Sequence, residues 1–383
     1  MSLPLSIQKT GERLITVDAL RGIAALSITI SHAAGNLPYT FETLQNAWLS
    51  IFFYPFSANI GRVYLFFLIS GFSIHLSWCK NKIRTGTDKN IEFIPFWKKR
   101  LIRLYPTYLI ALSIYIIAEF AFGKLVFDRF FVWDFISHLL MIHNADAQTV
   151  YSINGSFWTL AVEEQLYLAY FLFIWLRIKF GWKVVIPLAL FIRLVWFVIT
   201  PMLSLWIGWK IPTVESSFGT WCLWILGALS IEYAFGVTKL PKIFSSFKIG
   251  LVLVLLTSIW YGYGLSQELT GITKTLWWIS AQPLWGISFF FIINGFVALE
   301  NKTLPDWVML ILKTFAKVGT FAYSLYLVND MMFAVFGGFH WSIKAIAAFF
   351  FAYIFHLLFE KPFIKMAKRK KMPIVRILEP SFK

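Results

Sequence analysis

Long apolar runs, separated by short polar segments, follow one another along the whole chain. Each run has about 20 residues, the length that an α-helix needs to cross the hydrocarbon core of a bilayer. We therefore expect an all-α integral membrane protein with about ten transmembrane helices. The predicted helices lie at 15–35, 60–79, 104–123, 156–176, 184–205, 216–235, 248–265, 276–299, 319–338 and 342–360.

A further apolar segment, 127–143, is broken by Asp128, Arg129 and Asp134. A segment of this kind is typical of an interfacial helix that lies along the membrane surface. A signal peptide is the alternative interpretation of the first run, but the long flank and the internal Arg21 favour a retained span. We see no internal repeat and no soluble region, so residues 1–383 are expected to form a single transmembrane domain whose basic tail is 361–383.

The positions of the positive charges predict the topology. With a cytoplasmic N-terminus, 27 of the 35 Lys and Arg residues fall in inside segments, 4 fall in outside segments and 4 lie within or at the ends of spans. This asymmetry follows the positive-inside rule, and it predicts that both termini are cytoplasmic in a multi-pass protein of the plasma (inner) membrane. Basic inner loops beside anionic lipid headgroups also account for the net charge of +16 without a nucleic-acid partner.

The composition excludes several classes of protein. With 58% hydrophobic and 14% charged residues, the chain has too little charge for the surface of a water-soluble domain. The two cysteines, Cys79 and Cys222, lie in or near apolar runs, where packing is their expected role. Zinc-type Cys/His spacings and phosphate-binding glycine loops do not occur in the sequence, so no metal is expected.

Ionisable side chains inside a bilayer are costly and are functional candidates by default. Arg21 and His32 are eleven residues apart, which places them on one face of the first predicted helix, about 16 Å apart along its axis. That face carries a cation toward the cytoplasm and a proton acceptor toward the outside. The alternative is that Arg21 reaches the inner headgroups with Asp18 as its partner.

Arg100 and Arg103 are three residues apart at the cytoplasmic entry of the third span. This spacing makes them neighbours on one helix face. Two guanidinium groups on one face suit the recognition of phosphate, because each can form paired hydrogen bonds to its oxygens. Ordinary positive-inside flanking charge is the alternative, and it is sufficient for Lys98 and Lys99.

Glu163 and Glu164 are adjacent in the fourth span, so their side chains point about 100° apart. Glu163 is expected at a depth in the outer half of the membrane similar to that of His32. A pair between the two would orient the imidazole and raise its basicity. The alternative is a structural ion pair between one of these carboxylates and Arg193 or another buried cation.

The other histidines of the chain lie at span ends or in loops. We expect each of them to be an interface residue rather than a ligand. They are His75, His138, His143, His340 and His356.

Six elements of the chain, in order, resemble the signatures of the membrane acyltransferase-3 family. Residues 18–24 followed by His32 are similar to DGLRGIA…H, with Ala19 in place of the usual glycine. The usual histidine after SLYL is absent, and Asn329 and Asp330 stand at that place. The other similar elements are VYLFFLISGFSI (63–74), FWKKRLIRLYP (96–106), FWTLAVEEQLYL (157–168), FAYSLYLVND (321–330) and FEKPF (359–363).

The resemblance implies roles for individual residues. Arg21, Arg100 and Arg103 would bind an acyl-coenzyme A from the cytoplasmic side. His32 would be the essential catalytic group, with Glu163 as its neighbour. The residues that we expect to contact the acceptor are Asp18, Asn154, Trp158, Ser324, Tyr326 and Asp330.

The resemblance also implies the reaction. We expect an O-acyltransferase, with an O-acetyltransferase as the leading choice, whose donor is acetyl-CoA or another acyl-CoA. The acceptor is a hydroxyl of a cell-envelope glycan or lipid-linked sugar at the outer side of the membrane. Membrane lipids are the other expected partners, and formation of a homo-oligomer stays open. A transporter or flippase that moves a lipid-linked sugar or an acyl group without chemistry is the alternative, since buried charges suit both. Transporters often contain repeats, which this sequence lacks.

Overall fold

The computed structural model describes residues 14–34, 59–88, 91–123, 125–266 and 269–369. Within these ranges the protein is helical and has no strand, so the predicted all-α class is confirmed. The N-terminal flank before Leu14 and the part of the basic tail beyond Arg369 lie outside the described residues. The helices are α1 (Ile15–Ala33), α2 (Asn59–Thr85), α3 (Phe93–Ala121), α4 (Arg129–Leu139), α5 (Trp158–Phe180), α6 (Trp182–Ile207), α7 (Ser217–Ala234), α8 (Phe247–Ser266), α9 (Gly271–Leu299), α10 (Asp306–Gly319), α11 (Ala322–Val335), α12 (Trp341–Phe355) and α13 (Lys361–Arg369), with 3-10 turns at His143–Ala145 and Lys242–Ser245 and a π-helical turn at His356–Glu360.

All ten predicted runs fold as helix in the described ranges. Seven helical segments are long and apolar enough to cross a membrane, and α10 and α11 together make an eighth if the bent pair counts as one span. The runs 15–35 and 216–235 form α1 and α7, which do not belong to those seven. A multi-pass membrane protein is thus confirmed, whereas ten spans and cytoplasmic termini stay predictions.

The segment before the ninth run differs from the sequence-based expectation. The inside loop predicted between 299 and 319 contains α10, which meets α11 at an angle of 66°. Lys313 and Lys317 interrupt the apolar pattern, so the sequence resembles a loop. Leu312 and Val318 are nevertheless buried, because this amphipathic helix packs one side against α1.

Two glycines bring α1 and α10 into close contact. A Cβ atom added at Gly22 would lie 2.0 Å from the carbonyl oxygen of Phe315, and one at Gly319 would lie 2.1 Å from that of Asp18. Small residues allow membrane helices to approach at this distance. The crossing fixes how the bent α10–α11 pair is placed against α1.

A second crossing of the same kind joins α2 and α7. A Cβ atom at Gly71 would lie 1.9 Å from the carbonyl oxygen of Trp224, and one at Gly227 would lie 1.9 Å from that of Leu68. The two backbones therefore touch directly, with no side chain between them. This contact lies in the middle of the largest buried cluster of apolar side chains.

Arg193 is 1% exposed, and its partners are carbonyl groups rather than a carboxylate. Its guanidinium group donates to the carbonyl oxygens of Ile279 (3.0 Å), Trp278 (2.6 Å) and Gly219 (2.7 Å). Pro283 has no N–H to offer the carbonyl of Ile279, four residues earlier in α9, so Arg193 supplies the missing donor. The suggested ion pair between Arg193 and Glu163 or Glu164 is not formed in the described part of the chain.

A buried polar cluster joins α2, α5, α6 and α7. The Nε2 atom of His75 lies 3.0 Å from Oε1 of Glu232, and its Nδ1 atom lies 3.1 Å from the hydroxyl of Tyr170. Glu232 also accepts hydrogen bonds from Arg177 (2.6 Å) and from the indole of Trp182 (2.7 Å). The expectation that His75 lies at the membrane interface was wrong, since its side chain is fully buried.

The predicted interfacial segment 127–143 forms α4 and the 3-10 turn after it. His138 and His143 were expected to be interface residues, but both side chains are fully buried in the protein, with parallel rings whose centroids are 3.9 Å apart. The carboxylate of Asp134 lies 3.1 Å from Nδ1 of His138, which gives one ring a polar partner inside the protein. The location of α4 at the membrane surface stays a prediction.

We expect the protein to lose stability as the pH falls from about 6.5 toward 3. Burial, followed by the neighbouring His138, lowers the pKa of His143 to about 3. The unfolded chain binds a proton at this side chain near its ordinary pKa of about 6.5, so the free energy of unfolding falls by about 1.4 kcal/mol per pH unit in this window. Thermal unfolding of the detergent-solubilised protein and of His143→Phe, from pH 7 to pH 4, measures this contribution. Equal pH dependence in the two proteins would contradict it.

Candidate functional site

A cavity of about 150 Å³ lies between α1, α2, α3, α5, the α10–α11 break and the π-helical turn. Its lining includes all three arginines that the sequence assigned to the acyl donor, together with two further predicted site residues. These side chains come from four different helices, and the sequence had not shown that they meet. The shared lining residues are Arg21, Arg100, Arg103, Glu163 and Tyr326.

Arg21 is held in place by side chains of α1 and α2. One guanidinium nitrogen donates to Oδ1 of Asp18 at 2.7 Å, and another donates to the hydroxyl of Ser73 at 2.9 Å. Asp18 is buried and does not line the cavity. The structure thus places Asp18 as the partner of Arg21, where the sequence had predicted a contact to the acceptor.

Arg100 and Arg103 have no such partner. The guanidinium carbon of Arg100 lies 5.6 Å from the ring centroids of both Phe96 and Tyr167, at distances typical of cation–π contacts. In the described ranges neither arginine forms an ion pair or a side-chain hydrogen bond. Two unpaired guanidinium groups at one cavity wall form a site that suits an anion.

Glu163 lies in the arginine cavity. Its Oε1 atom accepts hydrogen bonds from the hydroxyls of Ser70 and Tyr167, both at 2.5 Å. The adjacent Glu164 points elsewhere, as predicted, and accepts a hydrogen bond from the indole of Trp97 at 2.7 Å. Ser70 and Tyr167 had not been identified from the sequence, although a serine in an apolar span is a usable signal for a polar cavity.

His32 pairs with a different carboxylate from the one that the sequence suggested. Its Nδ1 atom lies 3.4 Å from Oδ1 of Asp330, and each side chain is 26% exposed. The other carboxylate oxygen of Asp330 accepts a hydrogen bond from the hydroxyl of Ser156 at 3.3 Å. No ion pair joins His32 to Glu163 in the part of the chain that the structure describes. Equal depth in the membrane was therefore insufficient to identify the partner.

Three of the predicted acceptor contacts are buried in the protein. Asn154 accepts a hydrogen bond from the backbone N–H of Ser156 at 2.7 Å and is 3% exposed. Trp158 is 5% exposed, and Ser324 is fully buried with its hydroxyl 2.6 Å from a carboxylate oxygen of Glu360. These three side chains shape the walls around the site.

Tyr326 connects the arginine cavity to the His32–Asp330 pair. It lines the cavity, and its hydroxyl accepts a hydrogen bond from Thr159 at 2.8 Å. Asp330 follows four residues later on α11, which corresponds to about one helical turn or 6 Å along the axis. The cavity therefore extends to within about one turn of the histidine pair.

Glu360 is a cavity residue to which the sequence assigned no role. It closes the π-helical turn, and its Oε2 atom lies 2.7 Å from Nδ1 of His356. Single π-helical turns are frequent at functional sites, and Glu360 belongs to the similar element FEKPF. Its position across the cavity adds a second carboxylate to the three arginines.

The described ranges contain no group of three or more His, Cys, Asp or Glu side chains arranged to hold a metal ion. The site therefore consists of an arginine-lined cavity that suits an anionic ligand and a neighbouring His–Asp pair that suits proton transfer.

The comparisons with known proteins agree with this description at the level of the family. A family model described as an acyltransferase domain matches residues 14–360, which is most of the 383-residue chain. The match begins just before α1 and ends at the π-helical turn, so it includes every helix that contributes to the site. Searches of the curated proteins and of the solved structures gave no match.

Proposed function

Since this chain belongs to the acyltransferase-3 family of membrane O-acyltransferases, we propose that it uses a cytoplasmic acyl-CoA as its donor. The acyl group, acetyl in the first instance, is transferred to a hydroxyl of a cell-envelope glycan or a lipid-linked sugar on the outer side. The protein then works in the plasma (inner) membrane, with its arginine cavity open toward the cytoplasm. The observation that supports this best is that Arg100 and Arg103 face one cavity without an ion-pair partner in the described ranges.

Coenzyme A carries a diphosphate and a further phosphate on its ribose, so it offers several anionic oxygens to guanidinium groups. Arginine is suited to phosphate because its planar fork forms paired hydrogen bonds. Arg21, fixed by Asp18 and Ser73, contributes a third cation at the inner half of α1. We assign these three arginines to the phosphates of the donor.

The thioester then has to reach the histidine. Arg21 and His32 lie on one face of α1, about 16 Å apart. The flexible pantetheine arm of the donor extends along this face, past Tyr326 and Thr159, toward the His32–Asp330 pair. The acceptor approaches the same pair from the opposite side.

The reaction requires one proton transfer at the acceptor. Nε2 of His32 takes the proton of the acceptor hydroxyl. At the same time the hydroxyl oxygen of the acceptor forms a bond to the carbonyl carbon of the thioester. The carbon–sulfur bond breaks, and the sulfur leaves as the thiol of coenzyme A after receiving the proton that Nε2 took, which returns His32 to its neutral form. General-base assistance of this kind contributes about 10²- to 10⁴-fold to the rate.

A reconstituted system tests the proposed activity directly. Vesicles containing the protein are supplied with acetyl-CoA labelled in the acetyl group, and with lipid-linked glycans extracted from the envelope. We expect release of the coenzyme A thiol and recovery of label in the glycan. Movement of the sugar or acyl group across the vesicle membrane with an intact thioester would instead support the transporter.

Replacing Arg103 with alanine is expected to weaken acetyl-CoA binding by about 10- to 100-fold, because a hydrogen bond to a charged group contributes about 1.5–3 kcal/mol. Arg103→Lys should recover only part of the affinity, since the paired hydrogen bonds are lost. Isothermal titration of the solubilised protein measures both. Lys98→Ala is the matched control, because Lys98 is an exposed flanking charge on the same helix. Equal affinities in Arg103→Ala and in the wild-type protein would contradict the assignment.

A further inference from the structure

Among the described residues, one carboxylate pairs with His32, and it comes from α11. Asp330 Oδ1 lies 3.4 Å from Nδ1 of His32, and no lysine or arginine pairs with Asp330 in the described ranges. The two nearby glutamates have other partners, since Glu163 is bonded to two hydroxyls and Glu164 to an indole. Asp330 is thus the acidic group available to the imidazole.

The backbone around Asp330 is fixed from three directions. Its own N–H donates to the side-chain oxygen of Asn329 at 2.7 Å, and the next N–H, that of Met331, donates to the hydroxyl of Tyr115 on α3 at 2.8 Å. The hydroxyl of Ser156 donates to its free carboxylate oxygen at 3.3 Å. These contacts hold Asp330 on the side of α11 that faces α1.

The charged and titratable groups around the pair are few. In the described part of the chain, Tyr115 on α3 and Tyr326 on α11 are the ionisable neighbours of Asp330 besides His32, and both are phenols that are neutral near pH 7. The wall opposite, before α5, contributes Ser156 and the backbone of Gly155. No lysine or arginine of the described ranges therefore competes with the imidazole for this carboxylate.

We propose that Asp330 is the positioning residue of His32 in the acyl transfer. Asp330 accepts the Nδ1–H of the neutral imidazole, which leaves Nε2 unprotonated and directed at the acceptor hydroxyl. When Nε2 takes that proton, the carboxylate stabilises the resulting imidazolium. The inference rests on the proposed function, and it replaces both Glu163 as partner and Asp330 as an acceptor contact.

The distance of 3.4 Å is longer than a hydrogen bond of about 2.7–3.2 Å. Hydrogen bonds of catalytic groups are often long without substrate and shorten in the complex. Both side chains are one-quarter exposed, so a small rotation about either side chain closes the gap. Binding of the acceptor, which excludes water from this pair, strengthens the attraction between the two groups.

The test separates the turnover number from donor binding in the reconstituted protein. Asp330→Asn is expected to lower kcat about 10²-fold or more, with an unchanged KM for acetyl-CoA, because the arginines that bind the donor are intact. Asp330→Glu should retain at least about a tenth of the wild-type kcat, since it keeps the charge. Glu163→Gln is the matched carboxylate control, and it should change the KM for acetyl-CoA more than kcat.

Three results would each overturn the inference. The first is an Asp330→Asn variant with wild-type kcat. The second is a Glu163→Gln variant that loses kcat as strongly as His32→Ala while Asp330→Asn does not. The third is an Asp330→Glu variant that is folded and binds acetyl-CoA but is inactive. If Asp330→Asn does not fold, the Asp330→Glu variant alone decides the question. Wild-type protein that transfers no acyl group would refute the proposed function itself, which is a distinguishable outcome.

Discussion

Replacing His32 with alanine is expected to reduce acyl transfer by about 10²- to 10⁴-fold while binding of acetyl-CoA is retained. An alcohol is a weak nucleophile toward a thioester, and without Nε2 its proton has no acceptor at the reacting atoms. Donor binding survives because Arg21, Arg100 and Arg103 line a cavity that His32 does not touch. Acylation of the envelope glycan in cells that make equal amounts of each variant is the measurement.

His340→Gln is the control for the loss of a histidine. His340 is exposed at the beginning of α12 and takes no part in the cavity or in the Asp330 pair. It should support wild-type acylation. If His32→Ala also retains wild-type acylation, the general-base role fails, whatever the arginine variants do.

Replacing Gly227 with alanine is expected to destabilise the protein by more than about 3 kcal/mol or to prevent folding. The added Cβ atom would lie 1.9 Å from the carbonyl oxygen of Leu68, and a backbone atom cannot rotate away. The helices α2 and α7 would have to separate in the centre of the apolar cluster, and overpacking of this kind exceeds the usual cost of 1–3 kcal/mol. The yield of monodisperse protein and its melting temperature in detergent measure the effect.

Gly338→Ala is the matched glycine substitution. No atom lies within 4 Å of a Cβ added there, so the melting temperature should stay close to that of the wild-type protein. A Gly227→Ala variant as stable as Gly338→Ala would show that the α2–α7 contact is looser than the structure has it.

Arguments confined to one helix predicted correctly which side chains point in the same direction. Arg100 and Arg103 share a face because of helical periodicity, which is a local property, and both line the cavity. The divergence of Glu163 and Glu164 follows from the same geometry, and their partners lie on different helices. Apolar run length likewise predicted the helices themselves, because the bilayer imposes it.

Arguments between helices were less reliable, since a sequence contains no information on how each helix is rotated about its axis. His32 and Glu163 were assigned to one depth, but depth leaves the direction of each side chain open. Asp330 faces His32 because α11 packs against α1 and is held by the contact of Tyr115 with the backbone of Met331, which the sequence pattern does not reveal. The helix α10 was itself missed, because its charged residues resemble those of a cytoplasmic loop.

Buried histidines were missed for a related reason. His75 was placed at the membrane interface, yet it lies inside the protein beside Glu232, a residue 157 positions away along the chain. Partners so distant in sequence become neighbours only through tertiary packing. The same holds for Arg193, whose carbonyl partners exist because Pro283 leaves a helical carbonyl without its donor.

Because the chain bends between α10 and α11, the rotation of each helix about its own axis is set separately. In an unbroken helix, inserting one residue anywhere before Asp330 would turn everything beyond it by about 100° relative to α1. Here α10 is anchored to α1 at Gly319, whereas α11 is anchored separately through the Tyr115 contact to Met331. Because two corner residues, Thr320 and Phe321, separate the helices, a change of length before the corner need not rotate α11, so the orientation of the carboxylate toward His32 is insulated from insertions and substitutions in α10.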